Sequence, residues 1–129
     1  MQTQRKTGPR SMPTSPHSVR CTESLWLSAS RRAASDGVKI NYAVNELLEG
    51  YGRGLLSVPP SGSLGKSTAR TGASHSIRTP DNIWAAAQRR AASESRTMND
   101  VVVAIMEGYS RGLMDLPRVT KQYVRKKAS

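Results

Sequence analysis

Two hydrophobic periods run through this chain, and they appear in the same order twice. Residues 17–21 and 75–79 alternate, with Val19 and Ile77 on one face and Ser18, Arg20, Ser76 and Arg78 on the other. A period of two predicts a short strand in each place. Next come Leu25, Trp26, Ala29 and Ala33, matched later by Ile83, Trp84, Ala87 and Ala91, a spacing that predicts an Ala-rich helix with one buried stripe. A further set, Ile40, Val44, Leu47, Leu48, Tyr51 and Leu55, returns as Met98, Val102, Ile105, Met106, Tyr109 and Leu113. These fall at i, i+4, i+7, i+8, i+11 and i+15 and predict a second helix.

Punctuation between the periodic stretches agrees with this order. Thr79-Pro80-Asp81 places a capping residue, a proline for the first helical position and an acid in the first turn, and Thr22-Glu23 is a weaker version. Asp36-Gly37 and Glu94-Ser95 separate the two helices of each set. Gly54 and Gly112 lie near the ends of the second helices, and Pro59 and Pro117 forbid continuation.

The recurrence is a tandem repeat. Residues 17–59 align without a gap on residues 75–117 at an offset of 58, and 19 of the 43 positions are identical, including both Trp, Asn41/Asn99 and the run Arg31-Arg32-Ala33-Ala34-Ser35. One strand and two helices cannot close a core alone, because the strand lacks a partner and the helices keep an exposed apolar face. Each repeat therefore needs the other. From Leu55 to Ser74 the intervening chain reaches on the order of 60 Å when extended, ample for pairing within one chain.

The organisation read from this pattern is a basic N-terminal tail over 1–15, repeat 1 over 16–59, a linker over 60–73, repeat 2 over 74–117 and a basic C-terminal tail over 118–129. Tail and linker are rich in Pro, Gly, Ser and Thr, a composition that buries too little apolar surface to order itself. The formal net charge is +11, which makes a polyanion the expected partner. That surplus is uneven: residues 17–59 carry +1 and residues 75–117 carry 0, whereas 118–129 carry +5. No apolar run approaches the roughly 20 residues of a membrane span, and no secretory signal is read at the N-terminus, so a cytoplasmic location is expected. The single cysteine, Cys21, reads as a small buried apolar residue. No metal site, cofactor or catalytic constellation is expected, so the chain reads as no enzyme.

Ser76-Ile-Arg-Thr-Pro-Asp-Asn-Ile-Trp84, followed by Arg89-Arg-Ala-Ala-Ser-Glu-Ser-Arg-Thr-Met-Asn-Asp-Val-Val102, resembles the ribbon-helix-helix superfamily of bacterial, plasmid and phage DNA-binding proteins. The likeness covers both repeats, about two-thirds of the chain. It implies a mainly α fold with a two-stranded antiparallel β-ribbon, the two repeats forming one intramolecular pseudo-dimer. It also implies that the ribbon enters the major groove of double-stranded DNA, with Ser18, Arg20, Ser74, Ser76 and Arg78 facing the bases. Arg can bond bidentately to guanine and a Ser hydroxyl can donate or accept, so that face suits base readout.

Phosphate contact, again by resemblance, falls to the start of the second helices: Lys39 and Ile40 in repeat 1, Arg96, Thr97 and Met98 in repeat 2. Orphan amides at a helix N-terminus favour an anion there. Thr97-Met98-Asn99-Asp100 resembles a capping box, while Val38-Lys39-Ile40-Asn41 lacks both the cap and the turn arginine. The second repeat is therefore expected to grip its half-site more firmly. Lys121, Arg125, Lys126 and Lys127 in the C-terminal tail read as a phosphate-binding arm.

The implied role is that of a transcriptional repressor or autoregulator of a plasmid, phage or mobile element, nucleoid-associated and monomeric when free. An accessory or architectural protein of a relaxosome shares the same chemistry, and cooperative binding of several copies on DNA is left open. An antitoxin role is disfavoured, because the twelve residues after Pro117 are basic and offer no apolar anchors. Trp26 and Trp84 are expected in the core, His17 and His75 in packing, and the Arg31-Arg32 and Arg89-Arg90 pairs on an outer face.

Overall fold

The computed structural model describes residues 13–59 and 72–116. Strand β1 spans Thr14–Cys21, helix α1 Glu23–Ser35 and helix α2 Ile40–Gly52. The second half repeats the order with β2 at Ala73–Pro80, α3 at Asp81–Ser93 and α4 at Met98–Ser110. The chain is thus mainly helical with a two-stranded antiparallel sheet. None of its described helices is long and apolar enough to cross a membrane.

β1 pairs with β2 in a register that puts Ser18 opposite Ser76. Those residues are 58 positions apart, the offset of the sequence repeat, so equivalent positions meet at the centre of the ribbon. Alternation sends Val19, Cys21, Ile77 and Thr79 to the buried side and Pro16, Ser18, Arg20, Ser74, Ser76 and Arg78 to the exposed side. The most extensive helix packing is also between halves, α2 against α3 and α1 against α4. At Gly52 the first of these is so close that a Cβ would stand 2.9 Å from the Ala87 backbone nitrogen. One apolar cluster results, formed by Val19, Ile77, the alanines of α1 and α3, and the inward faces of α2 and α4.

All four helices end in the same way. Gly37, Gly54 and Gly112 have φ near +80°, and Ser95 adopts φ 59°. In each case the amide two residues past the last helical turn's cap returns to a carbonyl inside the helix, as in Leu55 N–H to Gly50 O at 2.8 Å and Arg96 N–H to Ala91 O at 2.8 Å. This is the Schellman closure, which satisfies otherwise orphaned carbonyls.

Three expectations change. Leu55 and Leu113 do not extend the buried stripe; α2 and α4 stop at Gly52 and Ser110, and both leucines are exposed. Thr79 does not cap α3. It belongs to β2, fully buried, while Pro80 takes the cap position without a side-chain bond. The weaker-looking Thr22 is the side chain that caps, accepting from Leu25 N–H at 3.2 Å. The strands also begin at Thr14 and Ala73, slightly earlier than the alternation suggested.

Candidate nucleic-acid interface

The exposed side of the ribbon carries Pro16 opposite Arg78, Ser18 opposite Ser76 and Arg20 opposite Ser74. No carboxylate lies within residues 14–21 or 73–80, so the two arginines set the charge of this face. Measured along the ribbon they stand four residue positions apart, about 13–14 Å at strand rise. All five sequence-predicted base-contact residues, Ser18, Arg20, Ser74, Ser76 and Arg78, are brought together here and exposed.

A two-stranded ribbon leaves each strand with an unpaired outer edge. Asn99, in the first turn of α4, closes the edge at Arg20: its Oδ1 accepts from Arg20 N–H at 2.8 Å and its Nδ2 donates to Arg20 O at 3.3 Å. Asn41 of α2 does the same at Arg78, accepting from the amide at 2.8 Å and donating to the carbonyl at 2.9 Å. A carboxamide thereby takes the place of a third strand. Since these backbone groups face outward, Pro16, at the same parity, lacks an N–H where the pairing needs none.

The same two contacts position the helix starts. Lys39 is exposed and is the N-cap of α2, without a side-chain cap. Thr97 is the N-cap of α4, its Oγ1 accepting from Asp100 N–H at 3.0 Å. Ile40 and Met98 follow, half-buried against the core. Because Asn41 and Asn99 lie one residue further on, the N-terminus of α2 flanks Arg78 and that of α4 flanks Arg20. Each presents orphan amides beside the exposed face.

Arg96 is different. Its side chain is only 10 % exposed, with Nε and Nη2 on the Asp100 carboxylate and Nη1 and Nη2 on the Val58 and Pro59 carbonyls. That guanidinium ties the α3–α4 turn to the segment after α2 instead of facing outward. Of the two features expected to distinguish repeat 2, Arg96 is thus turned away from the exposed face, while the Thr97 cap is present and has no counterpart at Lys39. Lys121, Arg125, Lys126 and Lys127 lie outside the described residues.

Arg78 is steadied by Nη1 donation to Thr14 Oγ1 at 3.2 Å. The residue equivalent to Thr14 is Gly72, so Arg20 has no matching hydroxyl. Gly72 has φ +89° and a Cβ there would stand 2.0 Å from Cys21 O; the position just before β2 admits no side chain.

Beneath the ribbon, His17 stacks on Trp84 at 3.6 Å between centroids and His75 on Trp26 at 4.2 Å. Each stack joins a strand of one repeat to a helix of the other. The tryptophans are half-buried at the core margin, with the histidines as their partners. Burial holds the His17 imidazole below its usual range, against an opposing pull from Asp81.

Arg31 and Arg89 are exposed as expected, but Arg32 and Arg90 turn inward. Arg32 donates to Tyr109 O at 2.7 Å, stands 4.6 Å over that ring and pairs with Asp115. Arg90 donates to Tyr51 O at 2.7 Å and lies 4.4 Å over the Tyr51 ring. The tyrosine hydroxyls donate back across the repeats, Tyr51 to Glu94 and Tyr109 to Asp36, both at 2.6 Å. Burial first, and the Glu94 carboxylate second, push the Tyr51 phenol up to about 12.

The residues that sequence reasoning passed over are Asn41, Asn99 and the Arg–Tyr–acid clusters. All but the acids are identical in both repeats, and that identity at polar positions was the available signal. No family model matches the chain, and neither a curated protein nor a solved structure matches it.

Proposed function

We propose that this chain is a sequence-specific double-stranded DNA-binding protein of the ribbon-helix-helix kind, acting as a single-chain pseudo-dimer. The observation that carries the reading is the exposed ribbon face: a carboxylate-free row of Ser and Arg, backed by core and flanked at each end by a helix N-terminus. A two-stranded ribbon fits the major groove. The four-position separation of Arg20 and Arg78 corresponds to roughly four base-pair steps at about 3.4 Å each. In this reading Arg20 and Arg78 bond guanine edges, Ser18, Ser74 and Ser76 read neighbouring bases, and the amides from Ile40 and Met98 onward hold phosphates. Lys39 adds a cation on the α2 side that Arg96 does not supply on the α4 side.

Binding over a promoter would make the protein a repressor or autoregulator; binding beside a transfer origin would make it a relaxosome or architectural accessory. Footprinting on DNA flanking its own gene decides between them by the position of the protected site. Arg20→Ala and Arg78→Ala are each expected to relax base preference by roughly 1–3 kcal/mol, read as the ratio of affinities for the selected site and for single-base variants. Equal weakening on every sequence would demote them to phosphate contacts. Light scattering of the free protein is expected to give a particle near the 14.0 kDa chain mass; a stable particle of twice that mass would mean pairing between chains.

A further inference from the structure

Thr79 is the fully buried polar residue of the described core. Its Oγ1 donates to Asn45 Oδ1 at 2.8 Å, and Asn45 Nδ2 donates to Arg78 O at 2.9 Å. Thr79 comes from repeat 2 and Asn45 from repeat 1. The counterpart of Thr79 is Cys21 and that of Asn45 is Val103; both are fully buried in the same cluster. β1 packs on α4 as β2 packs on α2. One strand–helix contact is therefore a hydrogen-bonded polar pair and its counterpart is apolar, with each pair divided between the repeats.

That division has a consequence for which halves can meet. A buried amide or hydroxyl without a partner is costly, whereas a matched polar pair or a matched apolar pair is not. If repeat 1 paired with repeat 1 of another chain, Asn45 would face Cys21. If repeat 2 paired with another repeat 2, Thr79 would face Val103. Both like-with-like arrangements create mismatches, and only the unlike pairing creates none. Gly52 points the same way independently. Its close approach to the α3 backbone admits no Cβ without a shift, and its counterpart in α4 is Ser110. A pair of second repeats would press Ser110 onto α3.

We propose that the division of Asn45–Thr79 and Cys21–Val103 between the repeats is a recognition code by which repeat 1 takes repeat 2 and rejects a second copy of itself. The surface involved is the inner face of strand and second helix, and its partner is the unlike half of this chain. The code does not depend on DNA binding.

Exchanging two residues inverts it. Asn45→Val with Val103→Asn leaves the composition unchanged but mismatches both contacts in the unlike pair and matches both in the like pairs. Adding Cys21→Thr and Thr79→Cys restores unlike matching with the polar pair moved to the other end. Ser18→Cys supplies the reporter, because residue 18 faces residue 76 in the present register but would face residue 18 of a second chain in a like pair. Full-length chains carrying Ser18→Cys are refolded, oxidised and resolved without reductant, and their unfolding midpoints are measured alongside.

The two-residue exchange is expected to lower the midpoint and to raise the disulfide-linked dimer roughly tenfold or more, the equivalent of one or more unmatched buried polar groups. The four-residue exchange is expected to return both readings to the starting level. A midpoint that falls and then recovers without linked dimer still supports the code, the connection between repeats then holding mismatched halves together. Should the two-residue chain unfold altogether, recovery of folding by the four-residue chain supports it equally. A two-residue chain with the starting midpoint and dimer level overturns the proposal, and so does a four-residue chain that recovers neither reading.

Discussion

Ser95 sits at the turn between α3 and α4 with φ 59°, where Gly37 serves the first repeat at φ 82°. A Cβ in the left-handed region costs roughly 1–2 kcal/mol, which glycine avoids in exchange for a larger entropy loss on folding. Ser95→Gly is accordingly expected to stabilise the protein by about 0.5–1 kcal/mol, measured as a rise in the denaturation midpoint at constant m-value; a fall would mean that the serine side chain contributes something its backbone strain conceals. His17 makes a second individual contribution, set by burial against Trp84. Its imidazole titrates below the usual value near 6.5 when folded, so the unfolded chain binds more protons across the interval between the two values. Stability due to His17 is complete above about pH 6.5 and declines as pH falls through the folded value. Melting temperature should drop on acidification from pH 7.5 toward 5, and His17→Phe, which keeps an aromatic ring on Trp84, should flatten that drop. Glu94, whose carboxyl is held below the ordinary range chiefly by the Tyr51 hydroxyl, acts in a lower window, lost as pH falls through its depressed folded value.

The strands and helices were legible because their hydrophobic periods differ and occur twice in register; no single copy of residues 17–21 would have carried a strand assignment. What escaped the pattern was decided by local helix closures or across the repeats. Periodicity counts Leu55 and Leu113 as helical, but the Schellman closures at Gly54 and Gly112 end α2 and α4 just before them. Thr79 looked like a cap because Pro80-Asp81 follows it, yet Asn45 of the other repeat claims its hydroxyl. Arg32 and Arg90 looked like surface cations because the carbonyls they bind, Tyr109 and Tyr51, lie more than thirty residues away in sequence. The exposed ribbon face was read correctly residue by residue, while the asparagines that fix it were not, since a carboxamide replacing a neighbouring strand has no period. Their importance can be measured. Asn99→Ala and Asn41→Ala each remove two bonds to a strand edge that water can reach, so each is expected to cost about 1–2 kcal/mol. Amide exchange at Arg20 should accelerate in the first variant and at Arg78 in the second; protection unchanged at those amides would show that the edges hold without them.

Charge is distributed unevenly over the molecule, which on the DNA-binding reading separates recognition from attraction. The two repeats are nearly neutral, and several of their arginines are engaged: Arg32, Arg90 and Arg96 are held by carboxylates and carbonyls. Arg20 and Arg78 on the ribbon and Lys39 at the start of α2 are exposed on or beside the face proposed to meet DNA. Sequence preference and long-range affinity should then respond to different perturbations. Residues 118–129 carry five Lys and Arg and no acid, which on the DNA-binding reading makes them a source of phosphate contacts without base contacts. Each phosphate neutralised contributes about 0.9 to the slope of log affinity against log salt, so deleting 118–129 and its five cations should reduce that slope by up to about 4.5. The ratio of specific to non-specific affinity at one fixed salt concentration should change little, because the ribbon that reads bases is intact. Titrations at several salt concentrations, on the footprinted site and on an unrelated duplex, measure both quantities together. An unchanged slope would show that the C-terminal charge takes no part in binding and that cations elsewhere in the chain, together with the helix N-termini, carry the electrostatic term.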